Sequence, residues 1–162
     1  MNVVQPIKKL EDIQKIKKYL AKKPRDALLF SFGINTGLRI SDILSLDVRD
    51  VKGRDYIEIR EKKTNKYKKF PLNRFLKEEI DLFVEGLLSE QPLFYKATQA
   101  VGVKERIGTH TLRKTFGYHH YKKYNDIVLL QKIFNHSSPS VTLRCIGIEQ
   151  DTIDESYMNF YL

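Results

Sequence analysis

The stretch Tyr56-Ile57-Glu58-Ile59-Arg60-Glu61-Lys62-Lys63-Thr64-Asn65-Lys66-Tyr67-Lys68-Lys69-Phe70-Pro71-Leu72 decides the fold class. Tyr56 to Arg60 alternates as a strand does. Lys62 to Lys66 supplies the turn, and Tyr67 to Leu72 returns, with Pro71 near the end, where a missing N–H is tolerated. This is one antiparallel hairpin in a chain whose other segments carry the helical period. Leu10, Ile13, Ile16, Tyr19 and Leu20 recur at helical spacing among lysines. A second helix covers Arg25 to Asn35, nearly continuously apolar from Ala27 to Phe32 and so buried, and stops at Gly37. Ser41 to Leu46 reads as a short helix leaving the same turn. Beyond the hairpin, Phe75, Leu76, Ile80, Phe83, Val84 and Leu87 form the apolar face of an amphipathic helix. Thr109 caps a helix that carries His110 and Arg113 and runs to about Lys123; Asp126 precedes another from Ile127 to Phe134. Pro139 opens a short helix containing Cys145, and Thr152 to Phe160 forms a last one. The expected class is mainly α with a small antiparallel β-hairpin (α+β).

Composition narrows the function classes. The 162 residues suit one packed domain, and neither repeats nor low-complexity linkers divide them. With 41% hydrophobic and 30% charged residues the chain folds rather than staying disordered. Lys and Arg number 29 against 20 acidic residues, a net charge of +9 that suits a polyanion, nucleic acid above all. Charge alone is weak evidence, because lysine-rich surfaces also serve solubility. One cysteine cannot form an internal disulfide and fits a reducing compartment. Charges interrupt every apolar segment before it reaches membrane-spanning length, and no signal-peptide pattern opens the chain, so a cytoplasmic protein with no membrane partner is expected.

The chemistry-bearing residues form a set. His110 and Arg113 lie three apart, on one face of a helix; Arg39 ends Thr36-Gly37-Leu38-Arg39; Lys63 lies in the basic hairpin; His136 opens His136-Ser137-Ser138. Two arginines, a lysine and two histidines are donors suited to a phosphate whose charge rises during reaction. His110, His119, His120, His136 and Cys145 fit no paired-ligand spacing, so no metal site is expected. His119 and His120 read as ordinary helix residues, and Tyr118, Tyr121 and Tyr124 as a packing face.

Five stretches, in order, carry a resemblance: Thr36-Gly37-Leu38-Arg39-Ile40-Ser41-Asp42, Lys63-Thr64, His110-Thr111-Leu112-Arg113-Lys114-Thr115-Phe116, Phe134-Asn135-His136-Ser137-Ser138, and Thr142-Leu143-Arg144-Cys145. In them the chain resembles the catalytic domain of the tyrosine recombinases, the phage-integrase family. The resemblance implies that fold, and site-specific DNA recombination or integration by two transesterifications through a covalent 3′-phosphotyrosyl intermediate, with no metal or other cofactor. Arg39 and Arg113 would each present a bidentate fork to the non-bridging oxygens, which lysine does not. Lys63 would protonate the leaving 5′-oxygen, with Lys66 as the rival; His110 would position the phosphate and assist proton transfer; His136 would bond a non-bridging oxygen. Asp42 would orient Arg39. Lys62, Lys66, Lys68 and Lys114 are expected to bind DNA phosphates without sequence preference.

At the family's nucleophile, nine residues after the second histidine, stands Cys145 instead of tyrosine. A thiolate is a good nucleophile, and neighbouring arginines could lower its pKa. A cysteine sulfur lies one bond beyond Cβ, however, and attack needs reacting atoms roughly 3–3.5 Å apart. Impaired cleavage is therefore the leading expectation, ahead of Tyr157 or Tyr161 acting from the C-terminal segment and of Cys145 itself attacking. The whole chain, 1–162, reads as a single catalytic domain without the N-terminal core-binding (clamp) domain usual in the family. It would act on double-stranded DNA as a homo-oligomer, a tetramer on DNA and a monomer when free. The rival reading is a noncatalytic DNA-binding or regulatory module derived from a recombinase.

Overall fold

The protein is described here from a computed structural model, over residues 4–94, 110–148 and 157–161. Helix α1 (Leu10–Leu20) turns its Ile13 and Leu20 inward but leaves Leu10 66% and Tyr19 61% exposed, so the apolar face is narrower than the sequence spacing suggests. Helix α2 (Pro24–Thr36) starts with proline in its first turn, where the missing N–H costs nothing. Leu28, Leu29, Phe30 and Phe32 are all buried, because neighbours cover α2 on several sides. It packs against α1, against the short α3 (Ile40–Ile43), against α4 (Arg74–Val84) and against α5 (Thr111–Tyr124).

Gly37 ends α2 in the left-handed region, φ 64°, its N–H bonded to the Gly33 carbonyl at 3.3 Å. A Cβ there would lie 2.5 Å from Phe116 Cδ1 and 2.9 Å from Phe134 Cε1, so the turn needs glycine for its backbone and for its neighbours. Strands β1 (Tyr56–Arg60) and β2 (Tyr67–Pro71) form the expected antiparallel hairpin, paired from Tyr56 opposite Pro71 to Arg60 opposite Tyr67. Ile57 and Ile59 are buried, and the residues opposite them are Phe70 and Lys68. Asn73 caps α4 by accepting from the Leu76 N–H at 2.9 Å, and Leu76, Ile80 and Val84 face the core. Phe75, expected on that face, is 75% exposed.

Asp126 caps α6 (Ile127–Phe134), and Ser138 caps α7 (Pro139–Ile146), which contains Cys145. One core cluster joins α2, α3, the hairpin and α4; a second joins α1 and α2 to Leu112 of α5; a third lies among α5, α6 and α7. Tyr118 and Tyr121 pack on the third cluster, whereas Tyr124 is 56% exposed. The Thr109 cap and residues 152–156 of the expected last helix lie outside the described residues; 157–159 are helical. No described helix is long and apolar enough to cross a membrane.

Candidate active site

Arg113 is buried, 4% exposed in the first turn of α5. Its Nη1 donates to the Gly37 carbonyl and its Nη2 to the Phe134 carbonyl, each at 2.7 Å. Both acceptors lie at helix C-termini, where carbonyls lack helical partners. The guanidinium carbon lies 4.2 Å from the centroid of the Phe134 ring. Burial, and after it the Arg39 charge, pulls the group down to about 10, against Cys145, Glu61 and Asp42. It stays charged near neutral pH. His110, expected within the helix, stands at its cap and is exposed.

Arg39 precedes α3 with extended backbone, φ −72° and ψ 146°. Its Nη1 lies 3.1 Å from Oε1 of Glu61, a carboxylate with no solvent exposure. Neither atom has a hydrogen-bond partner among the described residues, so this is a charge contact without hydrogen-bond alignment. Glu61 Oε2 accepts from Thr64 Oγ1 at 2.6 Å and from Asn135 Nδ2 at 2.9 Å. Burial works to raise this carboxyl's pKa, yet those two hydrogen bonds and the Arg39 and Lys68 charges bring it below the usual value. Asp42 has a different task from the one expected. Its Oδ1 accepts from the Lys62 backbone N–H at 2.9 Å, which ties the hairpin turn to α3, while Glu61 meets Arg39.

His136 follows the left-handed Asn135 that ends α6. Its Nδ1 shares a hydrogen bond with Thr142 Oγ1 at 3.0 Å, and its ring meets Phe134 edge-on at 5.2 Å. Burial, then Arg113 and Arg39, and also Lys63, pull it down to about 4, against Glu61. The ring is neutral at pH 7. Lys63 is exposed on the hairpin turn, two residues after Glu61. Cys145 is half-buried on α7, and burial pushes its thiol up despite Arg113, Lys114 and Arg39. The arginine effect expected from sequence is present but is outweighed by desolvation.

Two expected DNA-binding lysines are engaged elsewhere. Lys68 lies opposite Ile59 on the inward side of β2 and donates from Nζ to the Ile133 carbonyl at 2.7 Å. Burial first, then Arg113, pulls it down to about 8. The strand's alternation turns it inward, and it braces the hairpin on α6. Lys114 donates to the Val4 carbonyl at 2.8 Å and pins the segment before α1 onto α5. Lys62 and Lys66 are exposed on the hairpin turn. Among the described residues no three His, Cys, Asp or Glu side chains gather as a metal site.

The phage integrase family matches residues 7–92 of this chain. YoeC of Bacillus subtilis, described as a probable integrase/recombinase, is 46% identical, over 99% of this chain and 98% of YoeC. The chain belongs to the phage integrase family. Among solved structures, this integrase-family chain matches the XerA recombinase with a TM-score of 0.71 at 18% identity, covering 96% of this chain and 65% of that one. It matches the XerH site-specific recombinase, in a post-cleavage complex with palindromic difH substrate, with a TM-score of 0.68 at 20% identity, covering 98% and 54%. These likenesses show the fold, that of the tyrosine-recombinase catalytic domain.

Glu61, Asn135 and Thr142 were not among the residues the sequence singled out for the site. Glu61 has one available signal, an acid between Arg60 and Lys62 at the start of a lysine-rich turn. Nothing in the sequence pairs Asn135 with Glu61, since that contact spans 74 residues.

Proposed function

We propose that this integrase-family domain binds double-stranded DNA and grips one backbone phosphate with Arg39, Arg113, His110 and His136, as a site for strand transfer in recombination or integration. Lys63 supplies the proton to the leaving 5′-oxygen. Lys62 and Lys66 hold flanking phosphates, and the domain works as one copy of a tetramer on DNA. The observation that carries this reading is the joint made by Arg113, whose Nη1 bonds the carbonyl of Gly37, two residues before Arg39, and whose Nη2 bonds the carbonyl of Phe134, two residues before His136. A buried guanidinium carries a desolvation cost, which a bound phosphate repays by neutralising its charge.

Cleavage in this reading is impaired at Cys145. The thiol is short of the reach of a phenol, and burial pushes its pKa up, away from the thiolate that attack needs. That same observation favours the second reading, a module that occupies DNA without cutting it.

Covalent trapping on a nicked suicide duplex separates the two. The chain as it stands should give little or no DNA-linked protein, and Cys145→Tyr should give a clear band. In that background, Arg113→Lys should reduce trapping by about 10²–10³. If Cys145→Tyr leaves trapping at the same low level while duplex binding persists, the lost-nucleophile account fails and the binding module stands.

A further inference from the structure

Glu61 joins the segments that carry the site. Its carboxylate meets Arg39 directly, bonds Thr64, the residue after Lys63, and bonds Asn135, the residue before His136. It has no solvent exposure, and its two oxygens are used differently. Oε2 is satisfied twice, by Thr64 and Asn135. Oε1 and Arg39 Nη1 stand 3.1 Å apart with neither making a hydrogen bond among the described residues.

A buried charge pair normally closes into good hydrogen-bond geometry, because nothing else offsets its desolvation. Here one half of the carboxylate is anchored while the half facing Arg39 is not. Arg39 is therefore balanced by the charge without being captured by it. A phosphate offers the same charge with better-directed oxygens and can take the guanidinium over in bidentate fashion.

We propose that Glu61 is a positioning residue that stands in for the phosphate before DNA is bound, holding Arg39 in place and giving it up when a DNA phosphate binds. This rests on the phosphate-binding function proposed above. The carboxylate thus has two effects of opposite sign. It keeps the Lys63 turn, Arg39 and the His136 loop in register, and it competes with the ligand for Arg39.

Two readouts measure this competition from opposite sides, as linkage requires. In Glu61→Gln the amide oxygen can still accept from Thr64 and Asn135, but no charge faces Arg39. Affinity for a short duplex and for inorganic phosphate, titrated at low salt, should rise about fivefold or more, the effect of one unit charge ~4 Å away even in bulk water. In the unmodified chain, saturating phosphate should raise the titration midpoint of the Glu61 carboxyl, followed by ¹³C NMR, and this readout decides alone if the variant does not fold. A residue that only holds structure predicts equal or weaker binding in Glu61→Gln and an unmoved carboxyl titration, and that result overturns the proposal. If the unmodified chain binds both ligands without either response, only this inference falls. If it binds neither duplex nor phosphate, the proposed function falls and this inference with it.

Discussion

At His136, burial and three cations all oppose protonation, and the ring titrates at about 4 instead of 6.5. The unfolded ring takes up a proton near 6.5 that the folded ring refuses until about 4. The contribution of His136 is therefore complete above 6.5 and is lost as pH falls through that window. Urea unfolding midpoints should drop between pH 7 and pH 5. His120, lowered by burial, adds in the same direction, while Glu61 loses its contribution only lower still, as an acid already below its usual 4.5. His136→Gln should make the drop shallower; an unaltered drop would place the titration elsewhere. The arginines, Lys63 and His136 read from the sequence as the donors now proposed to grip a phosphate, because their residue types and order carry the chemistry. Glu61 was not readable, because its role depends on full burial beside Arg39, and burial is a property of the packed molecule.

Among the elements, the turn after α2 shows how a local signal becomes a site. Gly37 was legible as a helix stop. That its carbonyl would bond Arg113, 76 positions away, was not. Gly37→Ala forces a left-handed alanine and drives its Cβ against Phe116 and Phe134. The expected loss, about 2–4 kcal/mol in urea unfolding, sums the backbone strain and the overpacking. Gly53 has a similar φ of 67° but nothing within 4 Å, so Gly53→Ala should cost only the strain, about 1–2 kcal/mol. Equal losses would show that packing at Gly37 is unimportant. The hairpin teaches a related lesson. Its strands and turn follow from alternation, but alternation alone does not say which face is inward, so the sequence does not distinguish Lys68 from a surface lysine.

For the whole molecule, the net charge of +9 is the quantity that a duplex should read. Binding should weaken steeply with salt, and Lys62→Ala and Lys66→Ala should each flatten the slope of log K against log salt by about one. Lys68→Met should leave that slope unchanged, because its ammonium is spent on the Ile133 carbonyl. A fluorescence-anisotropy titration across salt concentrations checks all three, and a flattened slope for Lys68→Met would return it to the DNA-facing set. By itself the sequence determined the helices of the described residues, the hairpin and the family, because period, turn chemistry and residue type act over a few neighbouring positions. The tertiary structure alone decided which lysines face solvent, that Asp42 holds Lys62 while Glu61 meets Arg39, and that burial outweighs the arginines at the Cys145 thiol. Those outcomes depend on which distant segments pack together, since desolvation and charge coupling arise only when packing excludes water between them.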